Sequence, residues 1–282
     1  MATMDASCLS ALHDRVSLMR RVAAEAGQVA MHHFQQDGLG VAMKPDDSPV
    51  TEADTDVESL LRTRILEAFP QDGILGEEHG ARAGSSGFRW VIDPIDGTVS
   101  FAAGVPLFGT LIAIERVDAA SDAVVAGICA MPALRESVWA VAGGGAWWER
   151  ADASGTVRRT RAHVRAAVPL AEAIVCTSGS EYFDRAGRVD ALVAVAKAAR
   201  RIRGWSDCYG GMLVATGRAD AWFDPVMHPW DCGPFPVILA EAGGVFTDWS
   251  GTPGIHGGSA IAAAPELHAA LLAVVRGDRG ER

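Results

Sequence analysis

The sequence predicts an α+β fold in which helices and sheets form stacked layers. Two helical patterns open the chain, short apolar runs of strand length dominate its middle, and strands alternate with helices in its last third. A chain of 282 residues, of which 49% are hydrophobic, is long enough to bury a large core. We therefore expect one large domain or two lobes that share a cleft.

The first half of the chain begins with two helical patterns. Apolar residues recur every three or four positions over residues 9–34, and a second such pattern runs from about residue 51 until Pro70 stops it. Short apolar runs separated by glycine and proline then predict strands at 74–75, 90–92, 107–114, 124–130 and 137–141, with a hairpin turn at 143–145.

The polar, basic segment 151–167 has no clear period and predicts a boundary between two lobes. We divide the chain into an N-terminal α+β lobe, 1–160, and a C-terminal α/β lobe, 161–282. In the second lobe, predicted strands at 173–176, 219–223, 245–247 and 259–263 alternate with predicted helices at 189–199, 208–216, 234–242 and 265–275.

Composition excludes several classes of function. A net charge of −10 disfavours nucleic-acid binding. No apolar stretch approaches the roughly 20 residues of a membrane span, and the N-terminus lacks the pattern of a secretory signal, so we expect a cytoplasmic protein. Five scattered cysteines without a CxxC pair indicate reduced thiols.

The most informative motif is W-V-I-D-P-I-D-G-T, residues 90–98. An apolar strand ends in Asp93 and Asp96, and the Ile95 carbonyl can join them as a hard oxygen ligand of the kind that Mg²⁺ prefers. Gly97 and Thr98 open the next segment, where backbone N–H groups suit a phosphate oxygen if that segment is helical. The alternative is an ordinary strand-to-turn junction.

Three further acids each allow a plain structural interpretation. Glu77 follows a short strand and could be a solvated loop acid. Asp54 lies at the start of the second helix, where it could complement the helix dipole. Asp231 in P-W-D could be a helix N-cap.

Together these segments resemble the inositol monophosphatase superfamily of lithium-sensitive, magnesium-dependent phosphatases, over about residues 44–251. The two motifs that carry the resemblance are W-V-I-D-P-I-D-G-T and P-W-D-x9-E-A-G-G. The resemblance implies an α-β-α-β-α sandwich of the inositol monophosphatase and sugar phosphatase type, with the site between the lobes, and a homodimer.

The resemblance also implies roles for the acids. Two or three Mg²⁺ ions would be bound by Glu77, Asp93, the Ile95 carbonyl, Asp96 and Asp231. Asp54 would hold an outer-shell water, and Glu77 and Thr98 would orient and deprotonate the attacking water. The ions would clamp the phosphate, lower the pKa of a bound water and leave no need for a covalent intermediate. Gly97, Thr98 and Asp231 would contact the phosphate ester.

Within the superfamily, the segments 106–114 and 244–251 look most like the histidinol-phosphatase branch. Asp207 lies in a G-x-D-x-Y-like pattern of that branch, and Asp224 lies where the family binds the organic part of its substrate. Two carboxylates outside the metal cluster would pair with the ammonium and imidazole groups of histidinol phosphate. Alternatively, Asp207 caps a helix and Asp224 is a turn residue.

Some positions depart from the family or stay ambiguous. Val99 replaces a polar or basic residue, and Gly233-Pro234 interrupts a run of small residues. Lys44 matches a family lysine near the metal site or is a surface lysine, and His228 packs or contacts substrate.

We expect hydrolysis of L-histidinol phosphate in histidine biosynthesis. Competing functions are an inositol-1-phosphate or broad sugar-phosphate phosphatase and, in a different class, a catalytically silent binding protein. A bisphosphatase would need cations such as Arg185, Arg201 or Arg203 for a second phosphate.

Overall fold

The computed structural model describes residues 6–36, 40–43, 49–117, 122–205 and 207–277. Within these ranges the helices are α1 (Ala6–His33), α2 (Glu52–Ala68), α3 (Thr98–Ala102), α4 (Ser180–Arg185), α5 (Val189–Ala198), α6 (Asp207–Ala215), α7 (Pro229–Cys232), α8 (Phe235–Glu241) and α9 (Pro265–Arg276). None of these described helices has the length and apolar character needed to cross a membrane.

The strands of the described residues form three sheets. They are β1 (Val41–Met43), β2 (Pro49–Thr51), β3 (Gly73–Gly76), β4 (Gly80–Arg82), β5 (Phe88–Asp96), β6 (Gly109–Arg116), β7 (Ala123–Met131), β8 (Glu136–Val141), β9 (Gly145–Ala151), β10 (Val157–Arg161), β11 (Ile174–Thr177), β12 (Arg201–Gly204), β13 (Ala221–Asp224), β14 (Val245–Thr247) and β15 (Ala260–Ala263). A small hairpin joins β1 to β2.

The larger sheet has the strand order β10-β9-β8-β7-β6-β5-β3-β4, and its neighbours are antiparallel except for β3 and β5. The smaller sheet has the order β12-β11-β13-β15-β14, in which β11 runs parallel to both of its neighbours. Because β3 and β5 run parallel, the acid that follows β3 and the acids that end β5 emerge at the same edge of the sheet.

The two sheets lie between three helical layers. Side chains alternate along β5, so Trp90 and Ile92 pack with α1 and α2, whereas Val91 faces α6, α7 and α8 on the other side. The same middle helices cover the inner face of the smaller sheet, and α4, α5 and α9 cover its outer face. The order is therefore α-β-α-β-α, as expected.

Most predicted elements are present, and strand β10 is one that the sequence did not predict. Segment 151–167, which has no clear period and was predicted to be a lobe boundary, contains strand β10, which pairs with β9 from Val157↔Ala151 to Arg161↔Trp147. This strand lies at the sheet edge and is mostly exposed, so its sequence shows no apolar alternation. The predicted division near residue 160 stays a prediction, although the chain passes from the larger to the smaller sheet between β10 and β11.

Candidate active site

The end of β5 is irregular, and the irregularity turns both of its acids toward one point. Asp93 pairs with Leu111 of β6 and Asp96 pairs with Gly109, so β5 contains one residue more than its partner over this stretch. A bulge of this kind bends a strand and redirects its side chains. The Thr110 hydroxyl donates to the Pro94 carbonyl at 2.9 Å and fixes the bulge.

Directly after the bulge, Gly97 adopts a left-handed conformation (φ 85°) that ends the strand and starts α3. The Thr98 hydroxyl lies 3.0 Å from the Ile95 carbonyl oxygen and 3.2 Å from Asp54 Oδ1. The other Asp54 oxygen accepts bonds from the Thr51 backbone N–H at 2.8 Å and the Thr51 hydroxyl at 2.6 Å. Asp54, in the first turn of α2, therefore fixes the position of the Thr98 hydroxyl from the buried side.

Residues of α6 and α7 face the end of β5 from the other side of the site. Asp231 lies in α7, and its Oδ2 accepts the His228 backbone N–H at 2.7 Å. At the start of α6, the Cys208 backbone N–H donates to Asp96 Oδ2 at 2.6 Å, which joins α6 to the end of β5 beside the acids. Gly109 permits this contact, because a Cβ there would lie 2.8 Å from the Cys208 sulfur.

These elements enclose a cavity of about 550 Å³. Nearly all the predicted site residues line it: Glu77, Asp93, Ile95, Asp96, Gly97, Thr98, Asp207, Asp224 and Asp231. Asp54 is fully buried behind Thr98. Lys44 lies outside the described residues.

Three acids in the cavity form a tight group. Carboxylate oxygens of Asp93, Asp96 and Asp231 all lie within 4.8 Å of one another, and Glu77 lines the same cavity outside that group. Asp93 is 1% exposed, and its Oδ1 has no hydrogen-bond partner in the described part of the chain. A buried carboxylate oxygen without a donor is costly, so this oxygen-only group fits a hard divalent cation.

The raised pKa values of the three aspartates also indicate a site that could bind a cation. Burial, and then the charges of Glu77, Asp96 and Asp231, raise the pKa of Asp93 well above its usual range. Burial, then Asp207 and Asp231, raise the pKa of Asp96 likewise, and burial with Glu77 and other acids raises that of Asp231 to about 8. The acids repel one another in the absence of a cation, and a bound cation would reverse the effect.

Asp224 differs from the other acids of the cavity. Its Oδ1 accepts bonds from the Thr177 hydroxyl at 2.8 Å and from the Ser178 backbone N–H and hydroxyl at 2.8 and 2.6 Å. Its Oδ2 accepts the Trp222 indole N–H at 2.5 Å. Burial raises its pKa to about 7. Its role in binding substrate stays a prediction.

Several cavity residues were not predicted from the sequence. Ser178 and Tyr182 lie on or next to α4, and no motif marked that short helix. Of the three arginines considered for a second phosphate, Arg185 lines this cavity. His228 also lines it and stacks on Trp230, with ring centroids 5.0 Å apart.

Comparison with known proteins agrees with the geometry. Residues 12–278 match the model of the inositol monophosphatase family. The chain is similar to a histidinol-phosphatase of Chlorobaculum parvum, with 37% identity over 95% of this chain and 98% of the relative. It is also similar to an inositol-1-monophosphatase of Mesorhizobium japonicum, with 29% identity over 93% of this chain and 96% of the relative.

A solved structure, the extragenic suppressor protein suhB from Bartonella henselae, is similar with a TM-score of 0.81 and 26% identity. That similarity covers 94% of this chain and 98% of the other, and the predicted layered fold is confirmed. The described acids that approach one another fit the metal dependence expected of such an enzyme. The chain therefore belongs to the inositol monophosphatase family and is a phosphoric monoester hydrolase.

Proposed function

We propose that this enzyme is a Mg²⁺-dependent histidinol-phosphate phosphatase that produces L-histidinol and phosphate in histidine biosynthesis. The observation that carries the proposal is a single cavity. It contains both the three aspartates that could bind a cation, Asp93, Asp96 and Asp231, and a further carboxylate, Asp207. The similarity to a histidinol-phosphatase, 37% identical against 29% and 33% for two inositol-1-monophosphatases, supports the choice of substrate.

Two or three Mg²⁺ ions would be held by Glu77, Asp93, the Ile95 carbonyl, Asp96 and Asp231. When bound, such ions neutralise phosphate charge and lower the pKa of water. The strongest support for this assignment is Asp93 Oδ1, which accepts no hydrogen bond from any residue that the structure describes.

Thr98 and Glu77 would orient the attacking water and accept its proton. The Thr98 hydroxyl proton is directed to Asp54 or to the Ile95 carbonyl, so the hydroxyl oxygen keeps lone pairs that can accept a hydrogen bond from water. Asp54 fixes this orientation from the buried side. Gly97 and Thr98 would contact the phosphate at the start of α3.

Asp207 would pair with the ammonium group of the substrate, and Asp224 would add negative potential from the cavity wall. An ion pair between Asp207 and the substrate would favour a cationic leaving group over a neutral polyol. Inositol-1-phosphate is the second candidate substrate, because the family also includes the similar inositol-1-monophosphatase. We further propose a homodimer, which size-exclusion chromatography with light scattering would test.

The test is phosphate release from histidinol phosphate and inositol-1-phosphate with Mg²⁺, measured for the wild type and for Asp207→Asn. We expect the wild type to prefer histidinol phosphate by at least about tenfold in kcat/KM, equivalent to about 1.4 kcal/mol. Asp207→Asn should reduce that preference.

The matched control is Asp190→Asn, which changes an exposed acid on α5 that pairs with Arg188. A preference for inositol-1-phosphate, or an Asp207→Asn enzyme with unchanged selectivity, would contradict the substrate assignment.

A further inference from the structure

A buried carboxylate lies beneath the turn that carries Glu77. Glu58 on α2 is 0% exposed. Its Oε2 accepts the Glu78 backbone N–H at 2.6 Å, and its Oε1 accepts the His79 backbone N–H at 3.0 Å. Two successive peptide groups directly after Glu77 are therefore fixed by one side chain from a different element.

Arg62, one helical turn further along α2, completes the contact. Its Nε donates to Glu58 Oε1 at 2.7 Å, and its Nη2 donates to the Gly80 carbonyl. The arginine compensates the buried negative charge and holds the far end of the turn, where β4 begins. The turn 77–79 is thus held at both ends by residues of α2.

Gly76 makes the close approach possible. A Cβ at this position would lie 2.3 Å from Glu58 Oε1 and 2.7 Å from its carboxyl carbon. Any larger residue at 76 would push the carboxylate away from the backbone amides. The glycine immediately before Glu77 therefore serves the contact with Glu58.

The same helix also positions Thr98. Asp54 and Glu58 are four residues apart, so they lie on one face of α2 in successive turns, and both are fully buried. Asp54 contacts the Thr98 hydroxyl, and Glu58 holds the turn after Glu77. One helix face thus sets the relative positions of the two residues proposed to orient the attacking water.

We infer that Glu58 is a positioning residue, which fixes the backbone of the 77–79 turn so that the Glu77 carboxylate is held toward the cation site. The inference rests on the proposed role of Glu77. It assigns a function to the second buried acid of α2, which the proposed mechanism does not otherwise use.

The experiment compares Glu58→Gln with Glu67→Gln. The first change keeps the shape of the side chain but turns an N–H group toward donors, because both Glu58 oxygens accept hydrogen bonds. The second is a matched control on the same helix, at an exposed glutamate that pairs with Arg64. Mg²⁺ affinity is measured by calorimetric titration of the metal-free proteins, together with Tm, kcat and KM.

We expect Glu58→Gln to weaken Mg²⁺ binding by about tenfold to a hundredfold, in the range found for residues that orient metal ligands, and to lower kcat more than it changes KM. Glu58→Asp, which keeps the charge but withdraws it from the amides, should give an intermediate affinity. Glu67→Gln should match the wild type.

A purely structural role would lower Tm and leave the Mg²⁺ affinity of the folded protein unchanged, and that result would overturn the inference. If Glu58→Gln does not fold, wild-type Mg²⁺ affinity in Glu58→Asp would overturn it. A wild type that binds Mg²⁺ but hydrolyses neither phosphate ester would refute the proposed function alone, because the affinities would still decide the role of Glu58.

Discussion

Two buried aspartates beside β5 have opposite surroundings. Asp72 is 0% exposed and accepts bonds from the Arg15 guanidinium at 2.7 and 2.8 Å, the Trp90 indole at 2.8 Å and the Ser86 hydroxyl at 2.6 Å. Asp93 is equally buried, but acids surround it and its Oδ1 accepts no bond from a described residue. Asp72 joins α1 to the sheet through a charged partner, whereas no cationic side chain among the described residues donates a hydrogen bond to Asp93 Oδ1.

The largest effect should come from Asp93→Asn. Removal of this charge should weaken cation binding by the three aspartates, and a catalytic cation stabilises the transition state by several kcal/mol. We expect kcat/KM to fall at least about a hundredfold. Because the substitution also removes repulsion among buried acids, the metal-free variant should keep or raise its Tm. Phosphate release measures kcat/KM, and calorimetry measures Tm. A lower Tm for the metal-free variant than for the metal-free wild type would contradict the contrast drawn between Asp93 and Asp72.

Asp72→Asn should show the reverse pattern. The substitution leaves the buried Arg15 guanidinium without its charge partner. Breaking a buried pair in this way costs about 3 to 5 kcal/mol of unfolding free energy. Urea unfolding measures that cost, and activity per folded molecule should be unchanged. A variant with wild-type stability and reduced kcat would show that Asp72 belongs to the site.

The stability of the metal-free enzyme should fall as pH rises from about 4 to about 8. Burial and neighbouring acids raise the pKa of Asp231 to about 8, from an ordinary value near 3.8, and raise those of Asp93 and Asp96 as well. Over that interval the native state retains protons that the unfolded chain has released, so the free energy of unfolding decreases with pH.

Because cation binding requires the ionised acids, added Mg²⁺ should raise Tm most at the upper end of that interval. Thermal unfolding with EDTA and with Mg²⁺ across this pH range measures both effects. A Tm that is independent of pH with EDTA would show that the pKa values of these acids are not raised in the native state.

The smallest effect should come from Thr51→Val. This change removes the hydroxyl bond to Asp54 Oδ2 but keeps the backbone bond from Thr51 N–H. One such bond contributes about 1 to 2 kcal/mol, so we expect that loss of stability and a decrease in kcat of less than about tenfold. Urea unfolding and steady-state kinetics check the result. A decrease as large as that of Asp93→Asn would mean that Thr51 acts on the reaction directly.

The sequence was sufficient for the features that depend on local pattern. The spacing of apolar residues predicted α1 and α2, and the W-V-I-D-P-I-D-G-T motif predicted a strand whose terminal acids lie together at one cavity. The resemblance to the family predicted that Glu77 and Asp231 lie in the same site as that motif. Both lie outside the motif in the sequence, and both line the same cavity. The roles of these residues remain predictions.

Features that depend on contacts between distant residues were not predicted. Strand β10 shows too little apolar alternation, and the α4 residues of the cavity carry no motif. The position of Glu58 could have been recognised as unusual from the sequence. A glutamate on the apolar face of α2, between Val57 and Leu61, needs a buried partner. Its partners, the amides of residues 78 and 79, could be identified only from the fold.

The most direct test of the central claim is calorimetric titration of Mg²⁺ into metal-free wild type, Asp93→Asn and Asp72→Asn below the Tm of each protein. We expect the wild type and Asp72→Asn to bind Mg²⁺ with similar affinity and Asp93→Asn to bind it at least about tenfold more weakly. Equal affinity in the wild type and Asp93→Asn would contradict the claim that Asp93 and the acids around it form the cation site.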